Sequence, residues 1–500
     1  MLQNLYKYCQ NTYLFAFLGC IAVLPMSDTI ALRNIFLVLM LLLLISANVF
    51  SKNIRFETIS AAKLMPLPLI LWMIYLCMFP IWAPRQDVAW ENFFGQWGES
   101  IIAWIVGFGA FIILSKRGPS LFAIGLASAF PLIVHLLLST LAFMGFLSEN
   151  FYRQRSLTGL YDEMTAWSHG DFTLMNFHNP LVEGFNGIEV MHGNLGYAST
   201  LAIIIFTTTW YSAFKKNKLN LSAISAVAII CCFVSLFIIR SRGAILFGFL
   251  FLIITLMLNL YKNKSGQVVK PNGVTMKAFR RKLRVLVLLG IVTVLAIGYK
   301  SVESDYRWHS MVDKIIAAVQ IEDPLETLCN GLSVTDEIRI RNSIKGESQE
   351  YIDDVIFGLK RQDGGRILLM RVGIDFVLEN PFGLDGSRQS YKQLIMDKCG
   401  HIPLLTFAHT HQSWMDLSLA LGWAGAILFA LIFLNFLAFG VQELGDSENI
   451  DLLIVLIAMS LFWLVRGLFD SLYREHYLEM QAIILSYLYL RYLRLQQAER

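Results

Sequence analysis

His411-Gln412-Ser413-Trp414-Met415-Asp416-Leu417-Ser418-Leu419-Ala420-Leu421-Gly422-Trp423-Ala424-Gly425 opens an apolar run that continues to Gly440, directly after a long polar segment at 301–410. Crossing ~30 Å of hydrocarbon takes ~20 helical residues. The stretch therefore reads as the start of a spanning helix, with an ionisable side chain on its first turn at the membrane surface. Histidine is an ordinary base near neutral pH. Gly422 and Gly425, three apart, offer a face on which a second helix packs closely.

The rest of the chain repeats the pattern. Its 500 residues are 56% apolar and 16% charged, against about 25% charged in soluble proteins. Apolar runs of spanning length lie near 11–26, 30–49, 64–83, 99–115, 120–146, 195–214, 219–239, 243–261, 284–300, 412–440, 452–472 and 478–493. No alternating ten-residue segments of a β-barrel occur. The expectation is an all-α polytopic membrane protein of about 12 transmembrane helices. The first run follows a single basic residue, Lys7, lacks a small-x-small cleavage site, and reads as a retained span.

Lys and Arg set the orientation. With the N-terminus inside and spans alternating, Lys52, Arg55, Lys63, Lys116, Arg117, Lys215, Lys216, Lys218, the basic loop 262–284 and the tail Arg491, Arg494 and Arg500 all fall on the cytoplasmic side. The net charge of +4 is accounted for by these loops and gives no reason to invoke nucleic acid; membrane lipids are the surroundings. The expected organisation is 1–300 as helices one to nine, with an outer loop at 147–193, then a loop domain at 301–411, then 412–500 as helices ten to twelve and a cytoplasmic tail. A loop of that length folds on its own account. Helical spacing marks Ser304–Val319 and Gly365–Leu378, the second stopped by Pro381, while the polar stretch 330–363 between them reads as mobile. Cys329 and Cys399 share this loop, either bridged or as two free thiols.

Several charges stand where hydropathy disfavours them. Arg240 and Arg242 join spans seven and eight on the outer face, as snorkelling helix ends or as a clamp for phosphate, whose oxygens a guanidinium forks onto. Arg366 opens a helix, where free N–H groups also favour anions. Arg371 lies five residues on, ~140° around the helix, so the two do not share one ligand. Arg466 and Asp470, four apart in span eleven, read first as a structural pair and second as ligands. His409 and His411 make half a metal site with no third ligand at convincing spacing, and no Asp-x-Asp occurs, so the expectation is no metal and no cofactor. His192, before span six, reads as an interfacial residue or a substrate contact.

His411-Gln412, nine residues, then Gly422-x-x-Gly425 resembles the His-[Asn/Ser/Gln]-x9-Gly-x-x-Gly pattern of the bacterial O-antigen ligase family. Arg242 to Leu246 is similar to its Arg-x-x-x-Leu element, and Gly365-Arg366 through Pro381, Gly383 and Gly386 to its Gly-Arg…Pro-x-x-Gly-x-Gly block. Met370 and Arg371 occupy the region where the family carries an aromatic residue. The resemblance implies a metal-independent, inverting glycosyltransferase of the GT-C type in the bacterial inner membrane, with its active site on the periplasmic side and a large, partly helical periplasmic loop domain. It further implies transfer of O-antigen from undecaprenyl diphosphate to a lipid A–core sugar, with His411 as the base and Arg242 and Arg366 on the diphosphate. An O-antigen or capsular polysaccharide polymerase and a protein O-oligosaccharyltransferase share these features. A polysaccharide transporter would place its charges at the midplane and show related halves, which this chain does not.

Overall fold

The computed structural model describes residues 2–26, 29–114, 118–143, 192–239, 242–261, 310–361, 363–404, 409–444, 449–471 and 475–499, with isolated positions 292, 296 and 299. The expected outer loop 147–193 (save its last two residues), the basic loop 262–284, Arg240 and nearly all of the run at 284–300 lie outside the described residues.

The described residues are helical, with one isolated bridge, Lys345 to Glu347, in place of any strand. In chain order the first ten helices are α1 (Leu2–Val23), α2 (Ile30–Phe50), α3 (Lys52–Ala62), α4 (Leu67–Met78), α5 (Gln86–Asn92), α6 (Gly98–Leu114), α7 (Leu121–Phe143), α8 (His192–Lys215), α9 (Leu219–Ile239) and α10 (Arg242–Tyr261). A second group follows: α11 (Met311–Gln320), α12 (Pro324–Asn330), α13 (Val334–Ser343), α14 (Gln349–Arg361), α15 (Asp363–Glu379) and α16 (Ser390–Cys399). The chain then returns with α17 (Ser413–Glu443), α18 (Ile450–Arg466) and α19 (Glu475–Glu499).

Among the described residues, five helices are long and apolar enough to cross a membrane: α2, the run Gln86–Leu114, Leu219–Leu236 of α9, α10 and α17. A bent pair, Ile54–Ala62 with Leu67–Ile81, turns through 91° and has the length and composition of a sixth if the two parts count as one span. Much of the runs at 11–26, 120–146, 195–214, 452–472 and 478–493 falls on α1, α7, α8, α18 and α19, and α18 and α19 are almost wholly covered by neighbours.

One core joins α1, α2, α4, α6, α17, α18 and α19, and a smaller one joins α7 to α10. α6 and α19 pack so closely that a Cβ on Gly107 would lie 1.9 Å from Ser486 Oγ, which only glycine avoids. The third core belongs to α11–α16, and Leu419 of α17 enters it, fixing this helical unit to the bundle.

Two local expectations are corrected here. The polar stretch 330–363 is ordered as α13 and α14. Its helices combine capping and ion pairs with one apolar face of α14, where Ile352, Val355, Ile356 and Leu359 turn toward the third core. Ser333 Oγ accepts from the N–H of Asp336, Arg341 pairs with Glu337 (2.8 Å) and Asp353 (3.2 Å), and fully buried Lys314 pairs with Asp354 at 2.8 Å. The run 412–440 is also not one straight span. Gly422 has φ +77°, ψ 173°, which breaks α17. Fifteen residues of straight helix span ~22 Å, yet the rings of Trp414 and Phe429 are 6.2 Å apart. The segment 413–421 therefore folds back against the longer part, 423–443.

That break explains both glycine motifs. It frees the carbonyls of Leu419, Ala420 and Leu421, which in a membrane need partners. Leu384 N–H donates to Leu419 O at 2.9 Å, Gly386 N–H to Ala420 O at 2.9 Å, and the Tyr75 hydroxyl to Leu421 O. In return Trp423 N–H donates to Pro381 O at 2.9 Å. Gly383, at φ +78°, passes so close that a Cβ there would lie 2.3 Å from the Gly422 nitrogen. Gly422 thus serves a helix break and a backbone crossing, while Gly425 abuts the Tyr75 ring of α4.

Candidate active site

The turn before α17 is built to present His411. Thr410 N–H and Oγ1 both lie 2.8 Å from Asp416 Oδ1, one turn into the helix. Gln412 caps α17, its side chain accepting from the N–H of Met415 at 2.5 Å. Held from both sides, His411 takes φ +59°, a left-handed conformation uncommon for a residue with a Cβ and costing ~1–3 kcal/mol. Its N–H donates to His409 Nδ1 at 3.2 Å, and the two rings meet edge to face, 4.2 Å between centroids.

A second chain segment meets this turn. Ser413 N–H donates to Gly467 O at 2.8 Å and its hydroxyl to Asp470 O at 2.5 Å, and Trp414 Nε1 donates to Leu464 O at 3.2 Å. These bonds fix the residues that follow α18 beside His411. Asp470 lies in this turn, beyond the helix end, where the apolar run had placed it inside span eleven. Its Oδ1 is 3.9 Å from His411 Nδ1, and its Oδ2 is 2.9 Å from Arg466 Nη2. Burial opposes the charge on Asp470. The His411 imidazole beside it and the nearby guanidinium groups of Arg466 and Arg366 outweigh that and hold the carboxyl well below the usual carboxylate range.

Arg466 connects this cluster to α10. Its guanidinium lies 4.9 Å from the Phe247 ring centroid, and a Cβ on Gly243 would be 3.2 Å from its Nη1. The neighbouring Arg242 Nη2 is 2.8 Å from Asp363 Oδ2, with both side chains largely shielded from solvent. Asp363 begins α15, whose first turn also carries Arg366. The first turns of α10, α15 and α17 thus meet at one place with Arg242, Arg366, Arg466, Asp470, His409 and His411. The positive ends of helix dipoles and a majority of fixed cations favour an anion there.

Other candidates lie elsewhere. Arg371 Nη1 donates to Ala318 O (2.9 Å), Val319 O (3.3 Å) and Ile321 O (2.7 Å), closing the C-terminal end of α11. Cys329 and Cys399 form a disulfide, Cα atoms 5.5 Å apart, tying α12 to α16. His192 begins α8, and its side chain lies outside what is described. Among the described residues no group of three His, Cys, Asp or Glu side chains is placed to hold a metal ion.

Sequence reasoning missed Asp363 and Asp416, and it linked Asp470 to Arg466 alone. Asp363 carried a faint signal, an acid in the first turn of a helix that starts Gly-Gly-Arg. Asp416 carried a stronger one, a carboxylate in an otherwise apolar helix, now seen taking both Thr410 donors on its Oδ1.

Residues 227–430, which contain Arg242, Asp363, Arg366 and His411, match the family model described as O-antigen ligase. A search of curated proteins finds no match. Over residues 227–430 the chain thus carries a domain of the O-antigen ligase type, which supports a ligase- or polymerase-type glycosyltransferase of polysaccharide synthesis, in a multi-pass membrane protein that is helical over its described residues.

Proposed function

We propose that this protein is an O-antigen ligase, moving O-antigen from undecaprenyl diphosphate to a sugar of lipid A–core at the periplasmic face of the inner membrane. The observation that carries the reading is the meeting of His411, its Asp470 partner, Arg466 at the end of α18, and the two arginines at the starts of α10 and α15. The acceptor hydroxyl gives its proton to His411, and its oxygen attacks the anomeric carbon from the face opposite the diphosphate. The C–O bond to phosphate breaks, its electron pair leaves with the diphosphate, and the anomeric configuration inverts. Arg242 and Arg366 take up the charge that grows on the leaving group, an electrostatic role worth ~3 kcal/mol per well-placed donor. Asp470 holds the imidazole in orientation and stabilises it once protonated. Guanidinium groups are permanently charged and fork onto phosphate oxygens, so the proposed step calls on no metal.

This reading keeps twelve spans, with 301–411 as a periplasmic domain and 262–284 in the cytoplasm. The acceptor separates it from a polysaccharide polymerase or a protein O-oligosaccharyltransferase. Deleting the protein tests it: polymerised O-antigen accumulates on the lipid carrier while lipid A–core stays bare. Accumulation of single repeat units instead would point to a polymerase, and unchanged lipopolysaccharide with an unglycosylated protein to an oligosaccharyltransferase.

A further inference from the structure

The proposed diphosphate ligand Arg242 carries a carboxylate in this structure, that of Asp363, at 2.8 Å. Both residues sit at helix starts, both are more than four-fifths shielded, and Asp363 is three residues before Arg366. A carboxylate presents two oxygens to a guanidinium much as a phosphate does. We propose, resting on the diphosphate reading above, that Asp363 is a positioning residue that occupies the phosphate seat on Arg242 between turnovers and competes with lipid diphosphate for it.

The chemistry gives this contact a purpose. Arg242 lies next to Gly243, against which Arg466 packs, and Arg366 is on the facing helix. Without an anion, these cations repel one another, and Asp363 keeps Arg242 aimed into the site. After transfer the leaving lipid diphosphate has one ester bond fewer and more negative charge than the donor. On charge alone the product would bind the arginines more tightly than the substrate. A tethered carboxylate on the same arginine opposes that and favours release. Asp363 also anchors α15 to α10, and an anchor alone makes the opposite prediction for its removal.

The test is the affinity of the full-length purified chain for inorganic pyrophosphate, measured calorimetrically at low salt. Asp363→Asn, which keeps the shape and removes the charge, is expected to bind pyrophosphate about tenfold more tightly than the wild type. In transfer assays the same variant has a lower KM for the donor, a lower kcat and stronger inhibition by undecaprenyl diphosphate. If it fails to accumulate in the membrane, Asp363→Ser is measured in the same way. Equal or weaker binding in the variant, with wild-type binding abolished by Arg242→Ala, overturns this inference and leaves the diphosphate site standing. Wild-type binding that is absent, or indifferent to both Arg242→Ala and Arg366→Ala, overturns both.

Discussion

At the residue scale, two arginines five positions apart on one helix have different employment. Arg371 satisfies three carbonyls at the end of α11, while Arg366 acts electrostatically on Asp470. Arg371→Ala is therefore expected to lower the thermal midpoint, by ~1–3 kcal/mol of stability for carbonyls left without a charged donor, and to spare the rate per folded molecule. Arg366→Lys keeps the charge, loses the planar fork, and is expected to transfer glycan poorly at an unchanged midpoint. Severe loss of rate in Arg371→Ala beside a normal Arg366→Ala would reverse the assignment. Asp470 adds a pH signature. Its carboxyl is held below the unfolded value of ~3.9, so its stabilisation is fully present above about pH 4 and lost only as the pH falls through the lower folded value. The stability gap between wild type and Asp470→Asn is thus expected to be constant from pH 7 to 5 and to close only in stronger acid. A gap that closes already between pH 7 and 5 would mean that Asp470 is not held as described.

At the element scale, helix identity was legible and helix shape was not. Apolar runs announced the bundle because a span must be long and continuous, and the apolar period of Gly365–Leu378 announced α15 because one face of it enters a core. The break at Gly422 was hidden. A glycine in an apolar run reads equally as a packing face or a kink, and what decides it is a segment some forty residues earlier that supplies N–H groups to the freed carbonyls. The helices α13 and α14 were hidden because charged residues dominate the stretch, although Ile352, Val355, Ile356 and Leu359 gave α14 an apolar face at helical spacing. Gly383→Ala is expected to cost ~3 kcal/mol or more, from positive φ together with a Cβ 2.3 Å from the Gly422 backbone, and to disturb His411 through α17. A variant with wild-type midpoint and rate would argue against the crossing. The Cys329–Cys399 disulfide closes a separation of 70 residues, for which the chain-entropy view gives ~4 kcal/mol. Replacing both by Ala is expected to loosen α12 and α16 first, read as faster amide exchange there than in α18.

At the scale of the whole molecule, the site is a meeting of distant segments: 242 from the bundle, 363–366 from the loop unit, 409–413 and 466–470 from the returning helices. The three family-like motifs were visible in the sequence, and their convergence was expected only as a shared face. The Arg242–Asp363 and His411–Asp470 partnerships were not seen, because they join residues far apart in the chain, whereas the Arg466–Asp470 pair, four apart, was. The topology predicts that an impermeant thiol reagent labels Ser348→Cys in intact cells and leaves Lys270→Cys unlabelled, in a background without other accessible cysteines; the reverse pattern would invert the protein. The central claim, base and arginine catalysis at this meeting point, is met most directly by reconstituted transfer from purified undecaprenyl-diphosphate-linked glycan to lipid A–core in the presence of EDTA. The wild type is expected to transfer, with His411→Ala, Arg242→Ala and Arg366→Ala each folded and reduced by roughly a hundredfold or more. Near wild-type transfer by His411→Ala, or wild-type activity that vanishes with EDTA and returns with magnesium, would contradict it.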